Sequence, residues 1–206
     1  MIYQLVDWEA QWASFAENFY DGKAHIDLAK FGGSSELLLL PGPGFGDLSH
    51  PTTHLMLQLM KEKVWGRNII DIGCGSGILG LAALKLGALS LLGIDIDPDA
   101  IQHAHNNMVL NQLDAVFCEN IPEGACGNQI LLMNMILPEQ KIVMEQKAQL
   151  NSLAGNWITS GILASQREEY YALTKQWGWR LKSEIQQGEW LGLVFDVSKK
   201  ASPHFQ

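Results

Sequence analysis

The chain is short of cysteine and of positive charge. Its 206 residues include three cysteines, Cys74, Cys118 and Cys126. The count is odd and the spacing matches no metal-binding pattern. That argues against a disulfide-built scaffold, predicts no metal site and points to reduced thiols in a cytoplasmic protein. Lysine and arginine number 14 against 22 aspartates and glutamates, for a net charge of −8. An acidic surface disfavours a nucleic-acid backbone and suits a basic or neutral partner. No apolar run reaches the length of a membrane span. The N-terminus, with Asp7, Glu9 and Glu17, lacks the basic-then-apolar start of a signal peptide. Repeats and low-complexity segments are also missing. What is present is a 47% hydrophobic chain, enough for one medium domain with a full core.

The most informative stretch is Asp71-Ile72-Gly73-Cys74-Gly75-Ser76-Gly77. Asn68-Ile69-Ile70 before it reads as a buried strand, and Ile78 to Leu86 after it reads as a helix. Strand, glycine turn and helix is how an α/β sheet presents backbone N–H groups to a ligand. Gly73, Gly75 and Gly77 let the chain turn tightly and let a ligand approach closely. A second apolar strand, 89–94, ends at Asp95, placed to accept hydrogen bonds from ribose hydroxyls. A dinucleotide site wants its third glycine at position 78, where this chain has Ile78. D-x-G-x-G-x-G is instead the pattern of class I methyltransferases, which bind S-adenosylmethionine. Asp71 either caps the helix or orients the turn near the methionine amine.

From residue 68 onward strands and helices alternate. Strands are predicted at 68–72, 89–94, 115–118, 129–133, 156–160, 179–185 and 190–197. Helices are predicted at 77–86, 98–111, 138–150 and 166–177. This is an α/β pattern: a doubly wound, mostly parallel, seven-stranded sheet of Rossmann-like type. The last two strands form a hairpin, which makes one strand antiparallel. Upstream, Leu5, Trp8, Trp12, Phe15 and Phe19 predict an amphipathic helix over 5–19. Residues 36–40 predict a strand, and Pro51 opens a helix over 52–63. Residues 1–50 therefore read as an N-terminal extension packing on the catalytic domain, and 51–206 as a methyltransferase domain.

Several segments in order resemble one family. They are Gly44-Phe45-Gly46, His50-Pro51-Thr52-Thr53, the glycine turn, Gly93-Ile94-Asp95-Ile96-Asp97-Pro98, Asn134, Ser160-Gly161-Ile162-Leu163-Ala164-Ser165-Gln166 and Gly188-Glu189-Trp190. The chain resembles the ribosomal-protein methyltransferase family PrmA from about Asp7 to about Val197. The resemblance implies methyl transfer from S-adenosylmethionine to a protein amine, with lysine of a basic, ribosomal protein (large-subunit protein eleven) as the acceptor. Only about fifty residues precede His50, too few for the linker and the family's separate recognition domain. Where the family usually reads Gly-Thr-Gly-Thr-His, this chain has Gly46-Asp47-Leu48-Ser49-His50. Alternatives are a small-molecule methyltransferase, a non-catalytic cofactor-binding relative, or a relative similar to the lysine methyltransferase of the electron-transfer flavoprotein.

The resemblance implies cofactor binding by Thr53, Asp71, Gly73, Gly75, Gly77, Asp95 and Asn134, and a catalytic role for Asn134. Each has a plainer reading. Thr53 is also a first-turn helix residue, and Asn134 also a turn residue after a strand. His50 is either a base or a loop-locking group. Glu119 is either an acceptor for an adenine amino group or a solvated acid. His103 and His105 lie two apart on a helix, face different directions and form no metal pair. Trp8 and Trp12 belong to the core or line a substrate groove.

Overall fold

The computed structural model describes residues 7–15, 18–44, 46, 49–122, 129–146, 150 and 155–197. The chain opens with helix α1 (Trp8–Phe15), strands β1 (Phe19–Tyr20), β2 (Lys23–Asp27) and β3 (Glu36–Leu39), then helix α2 (Pro51–Met60). Strands β4 (Asn68–Ile72), β5 (Ser90–Ile94), β6 (Val116–Cys118), β7 (Gln129–Asn134) and β8 (Gly155–Leu163) follow. Between them run α3 (Ile78–Lys85), α4 (Pro98–Leu110) and α5 (Leu137–Gln146). Helix α6 (Arg167–Gln176) leads to the closing hairpin β9 (Trp179–Gln187) and β10 (Trp190–Val197).

One seven-stranded sheet has the order β6-β5-β4-β7-β8-β10-β9. Strands β4 to β8 pair in parallel, and β10 runs antiparallel to both β8 and β9. The expected mixed sheet with its single reversed strand is the one observed. Side chains alternate across it. Ile130 and Leu132 of β7 enter a core with α2 and α3, while Leu131 and Met133 enter a second core with Met144 of α5 and Tyr170 of α6. A period of two with both faces buried is why these strands read as unbroken apolar runs. The chain winds outward from β4 to β6 and then returns to β7 beside β4. That reversal opens a crevice at the carboxyl ends of β4 and β7.

The N-terminal segment differs from expectation. Among the described residues α1 covers Trp8–Phe15, and Phe19 lies outside any helix: it pairs with Ala24 in a hairpin that continues into a separate three-stranded antiparallel sheet, β1-β2-β3. Its turn is Asp21-Gly22, with φ of 52° and 69°. Positive φ at both central residues is the hairpin geometry that matches strand twist, and Asp-Gly favours it. The aromatic spacing that predicted one long helix over 5–19 carries Phe19, the first residue of β1, into the helix and stops just short of this turn. Helix α1 starts on Asp7, whose carboxylate accepts from the Ala10 amide at 3.0 Å.

Helix α4 binds this segment to the main domain. His103, Asn107 and Asn111 stand four residues apart, on one face. Asn111 accepts from the Leu38 amide at 3.0 Å and donates to the Leu38 carbonyl at 2.6 Å, so an amide side chain completes the edge of β3. Asn107 accepts from the Leu40 amide at 2.8 Å and donates to the Ser76 carbonyl at 2.9 Å.

Candidate active site

The glycine turn follows β4. Gly73, Gly75 and Gly77 have φ of 68°, 54° and 80°, in the left-handed region that side chains disfavour. The amides of Gly73 and Cys74 donate to the Ile94 carbonyl at 2.8 and 3.0 Å, which ties the turn to the end of β5. Gly75 then donates to Asp95 Oδ2 at 2.9 Å, and Asp97 donates to Asp95 Oδ1 at 3.1 Å. Asp97 accepts from the Asp99 amide at 2.9 Å and, with Pro98 behind it, starts α4.

A second loop lies over the turn. A Cβ on Gly44 would run into the Ser76 nitrogen, so only glycine admits this approach. Ser76 Oγ donates to the Gly46 carbonyl at 2.8 Å. His103 accepts from the Gly44 amide at Nδ1, 3.1 Å away, and donates from Nε2 to the Leu40 carbonyl at 2.7 Å. One ring nitrogen accepts and the other donates, which requires neutral imidazole. Burial lowers the His103 pKa, opposed by the bond to Leu40. His105 is exposed. Asp47 and Leu48 lie outside the described residues.

These loops border a cavity of about 580 Å³ at the strand reversal, within the usual size range of about 300–1,000 Å³ for small-molecule sites. Gly73, Gly75, Asp95 and Asn134 line it. Met135, Ile136, Ile142 and Val143 form an apolar wall after β7 and along α5, and His50, Thr52 and Trp190 border another side. His50 caps α2. Its Nδ1 accepts from the Thr52 amide at 3.3 Å and sits 2.8 Å from Thr52 Oγ1, while its ring meets Trp190 edge-on at 5.1 Å.

Three of the expected site residues stand behind the cavity wall. Asp71 is buried under the turn, where Oδ2 accepts from the Gly80 amide at 3.0 Å. Burial pushes its pKa up to about 7; the Gly80 bond opposes this and the charge of Asp95 adds to it. Gly77 faces α4, with Ala104 Cβ 3.1 Å from where its own Cβ would be. Thr53 is fully buried, and its hydroxyl has no hydrogen-bond partner among the described residues. Thr52 takes the place on the cavity. Glu119 is exposed beyond β6 and does not line the cavity. Cys74 is buried, and burial pushes its thiol well above the ordinary range, far from a reactive thiolate. Trp12 is buried in the core, edge-on to His103.

Residues 7–198 match the family model of ribosomal protein L11 methyltransferase (PrmA). The chain belongs to this family. It is 39% identical to the ribosomal protein L11 methyltransferase of Chromobacterium violaceum over 142 residues, 68% of this chain and 48% of that protein. It is 36% identical to that of a Synechococcus species over 164 residues, 75% of this chain and 54% of that protein. The chain thus spans about half the length of the curated relatives it matches. Among solved structures, a ribosomal protein L11 methylase from Lactobacillus delbrueckii subsp. bulgaricus superposes with a TM-score of 0.68 at 28% identity. The superposition covers 78% of this chain and 84% of that one. The PrmA fold is that of the class I S-adenosylmethionine-dependent methyltransferases.

Within this PrmA domain, sequence reasoning missed the apolar wall. Ile96, Ile136 and Ile142 are large and aliphatic yet 81%, 49% and 50% exposed, and all three line the cavity. In the sequence, Ile96 directly after the expected ligand carboxylate Asp95 was the available signal. Helix periodicity gave no cue, because α5 is polar overall and its cavity-facing residues are few.

Proposed function

We propose that the chain binds S-adenosylmethionine and transfers its methyl group to an amine of a basic protein, a lysine of a ribosomal protein in the cytoplasm. The observation that carries this is that Gly73, Gly75, Asp95 and Asn134 line one cavity at the sheet's reversal, in a chain matching the PrmA family over nearly its whole length. The residues fit such a cofactor. Gly73 and Gly75 leave the wall free of side chains, and the Asp95 carboxylate keeps lone pairs beyond those used by Gly75 and Asp97. Those lone pairs would accept hydrogen bonds from the ribose hydroxyls. Asp71, Gly77 and Thr53 act from behind the wall, by shaping the turn and the start of α2.

The cofactor supplies an already activated methyl group, so the protein's task is alignment. Asn134, at the end of β7, offers its side-chain carbonyl to the incoming amine. The amine must react in its neutral form, and a lysine side chain in water holds its proton up to a pH of about 10.4. The wall of Met135, Ile136, Ile142 and Val143 disfavours the charged form by desolvation, and the proton leaves to water. The net charge of −8 draws a basic partner towards the protein. We also propose that residues 1–50 act as an extension of a catalytic domain at 51–206. The bonds from Asn107 and Asn111 to Leu40 and Leu38 support that arrangement.

The test uses purified protein, tritiated S-adenosylmethionine and extract from cells lacking this gene. Label in one small basic protein, lost with Asn134→Ala, is the expected result. Label confined to metabolites would replace the protein acceptor with a small amine. Binding without any turnover would overturn the catalytic reading.

A further inference from the structure

Gln140 is a fully buried polar side chain on α5, and it does not line the cavity. Its Nε2 donates to two backbone carbonyls, Met135 at 2.7 Å and Ser160 at 2.9 Å. Its Oε1 accepts from the Tyr170 hydroxyl at 2.6 Å, and that hydroxyl lies 3.0 Å from Thr159 Oγ1. A tyrosine has one proton to give, so the Thr159 hydroxyl completes the second bond. The amide therefore has all its close partners, and the tyrosine donor fixes which end faces the carbonyls.

The Met135 carbonyl belongs to the turn that follows Asn134. Two further contacts converge on it. Gly161 has φ of 86°, and a Cβ there would run into the Met135 oxygen, so β8 presses directly on this peptide. The Met135 thioether in turn covers Gly73, with Sδ 2.8 Å from where a Cβ would be. Met135 thus bridges the turn after β7 and the glycine turn after β4. Gln140 and Gly161 hold its backbone from the other side. Ser160, the second carbonyl partner, pairs with Asn134 in the sheet and anchors its own hydroxyl on the Leu191 carbonyl at 2.7 Å.

We propose that Gln140 is a positioning residue for methyl transfer: it fixes the Asn134–Ile136 turn against the glycine turn and so sets where the acceptor amine meets the donor. This rests on the methyltransferase reading given above. Nothing in α5's apolar pattern calls for a glutamine here. A leucine or methionine would fill the same space and leave the Met135 and Ser160 carbonyls and the Tyr170 hydroxyl without their shared partner.

The experiment compares wild type, Gln140→Met and Tyr170→Phe. Gln140→Met removes both carbonyl bonds, whereas Tyr170→Phe removes only the far end of the network. We expect kcat at saturating S-adenosylmethionine to fall about tenfold or more in Gln140→Met, since misplacement of about 1 Å costs up to about a hundredfold. Donor affinity, set by Asp95 and the glycine turn, should stay within twofold. Tyr170→Phe should lower Tm yet keep kcat within threefold. Equal loss of kcat in both variants would mean general loosening and would overturn the proposal, as would unchanged kcat in Gln140→Met. Gln140→Asn, whose amide is one methylene too short to reach both carbonyls, replaces Gln140→Met if that variant does not fold. A readout independent of turnover separates this inference from the functional one. The Asn134 side-chain amide signal, assigned by its loss in Asn134→Ala, should be sharp in wild-type and Tyr170→Phe protein and broadened in Gln140→Met. A sharp, unshifted signal in Gln140→Met would sink the proposal even if wild type proved inactive.

Discussion

The Gly75 amide donates to Asp95 Oδ2 at 2.9 Å, so one hydrogen bond joins the turn after β4 to the strand end of β5. The same carboxylate lines the cavity. Asp95 thus organises the loop and presents acceptors to the cavity at once.

Replacing Asp95 with alanine should remove both effects. A hydrogen bond to a charged group contributes about 1.5–3 kcal/mol, so the loss of even one should lower donor affinity by roughly 10- to 150-fold. The strands around it are buried and parallel, and the fold should survive. Titration calorimetry with S-adenosylmethionine, alongside circular dichroism, checks both parts. Unchanged affinity would remove Asp95 from the binding site.

Asp71 should leave a signature in the pH dependence of stability. Its folded pKa is raised to about 7, chiefly by burial, from an ordinary 3.8. Between those values the folded state holds a proton that the unfolded state has released. Stability should therefore fall as pH rises from about 4 to about 7 and then level off for this group. Asp71→Asn keeps an acceptor for the Gly80 amide and cannot ionise, so its Tm should exceed that of wild type at about pH 8 and match it near pH 4. Parallel thermal melts across that range test the sign directly. A wild-type-like slope in the variant would assign it to other groups.

Thr53 offers a sharp choice. Its buried hydroxyl lacks a hydrogen-bond partner among the described residues, and Thr52 occupies the neighbouring place on the cavity. An unsatisfied buried hydroxyl costs about 1–3 kcal/mol, so Thr53→Val should hold or raise Tm. Donor affinity should stay within twofold. A large loss of affinity would show that the hydroxyl reaches the cofactor after all.

Much of the architecture could be read in advance because it depends on short-range pattern. Ile69, Ile70 and Ile72 form an apolar β-branched run, and that run became β4 over its whole predicted length. The glycines at 73, 75 and 77, read as a tight turn, all adopt positive φ. The hairpin of β9 and β10 followed from a short polar link. The β1–β2 hairpin was overlooked because five aromatic and aliphatic residues at helical steps drew Phe19, its first strand residue, into the predicted helix.

Other features were decided by distant partners. His103, Asn107 and Asn111 look like the solvated face of an ordinary helix, yet His103 and Asn107 are buried and all three bond the backbone of residues 38–44. Gln140 looks like one more polar residue of α5, yet it joins the turn after β7 to β8 and α6. Backbone conformation and strand pattern depend on neighbours along the chain, so the sequence alone determined the sheet, the glycine turn and the strand-end acids. Which buried polar group satisfies which distant carbonyl depends on segments 20 to 73 residues apart being brought together. Only the tertiary structure decided that, and with it which residues face the cavity and which hold it in shape from behind.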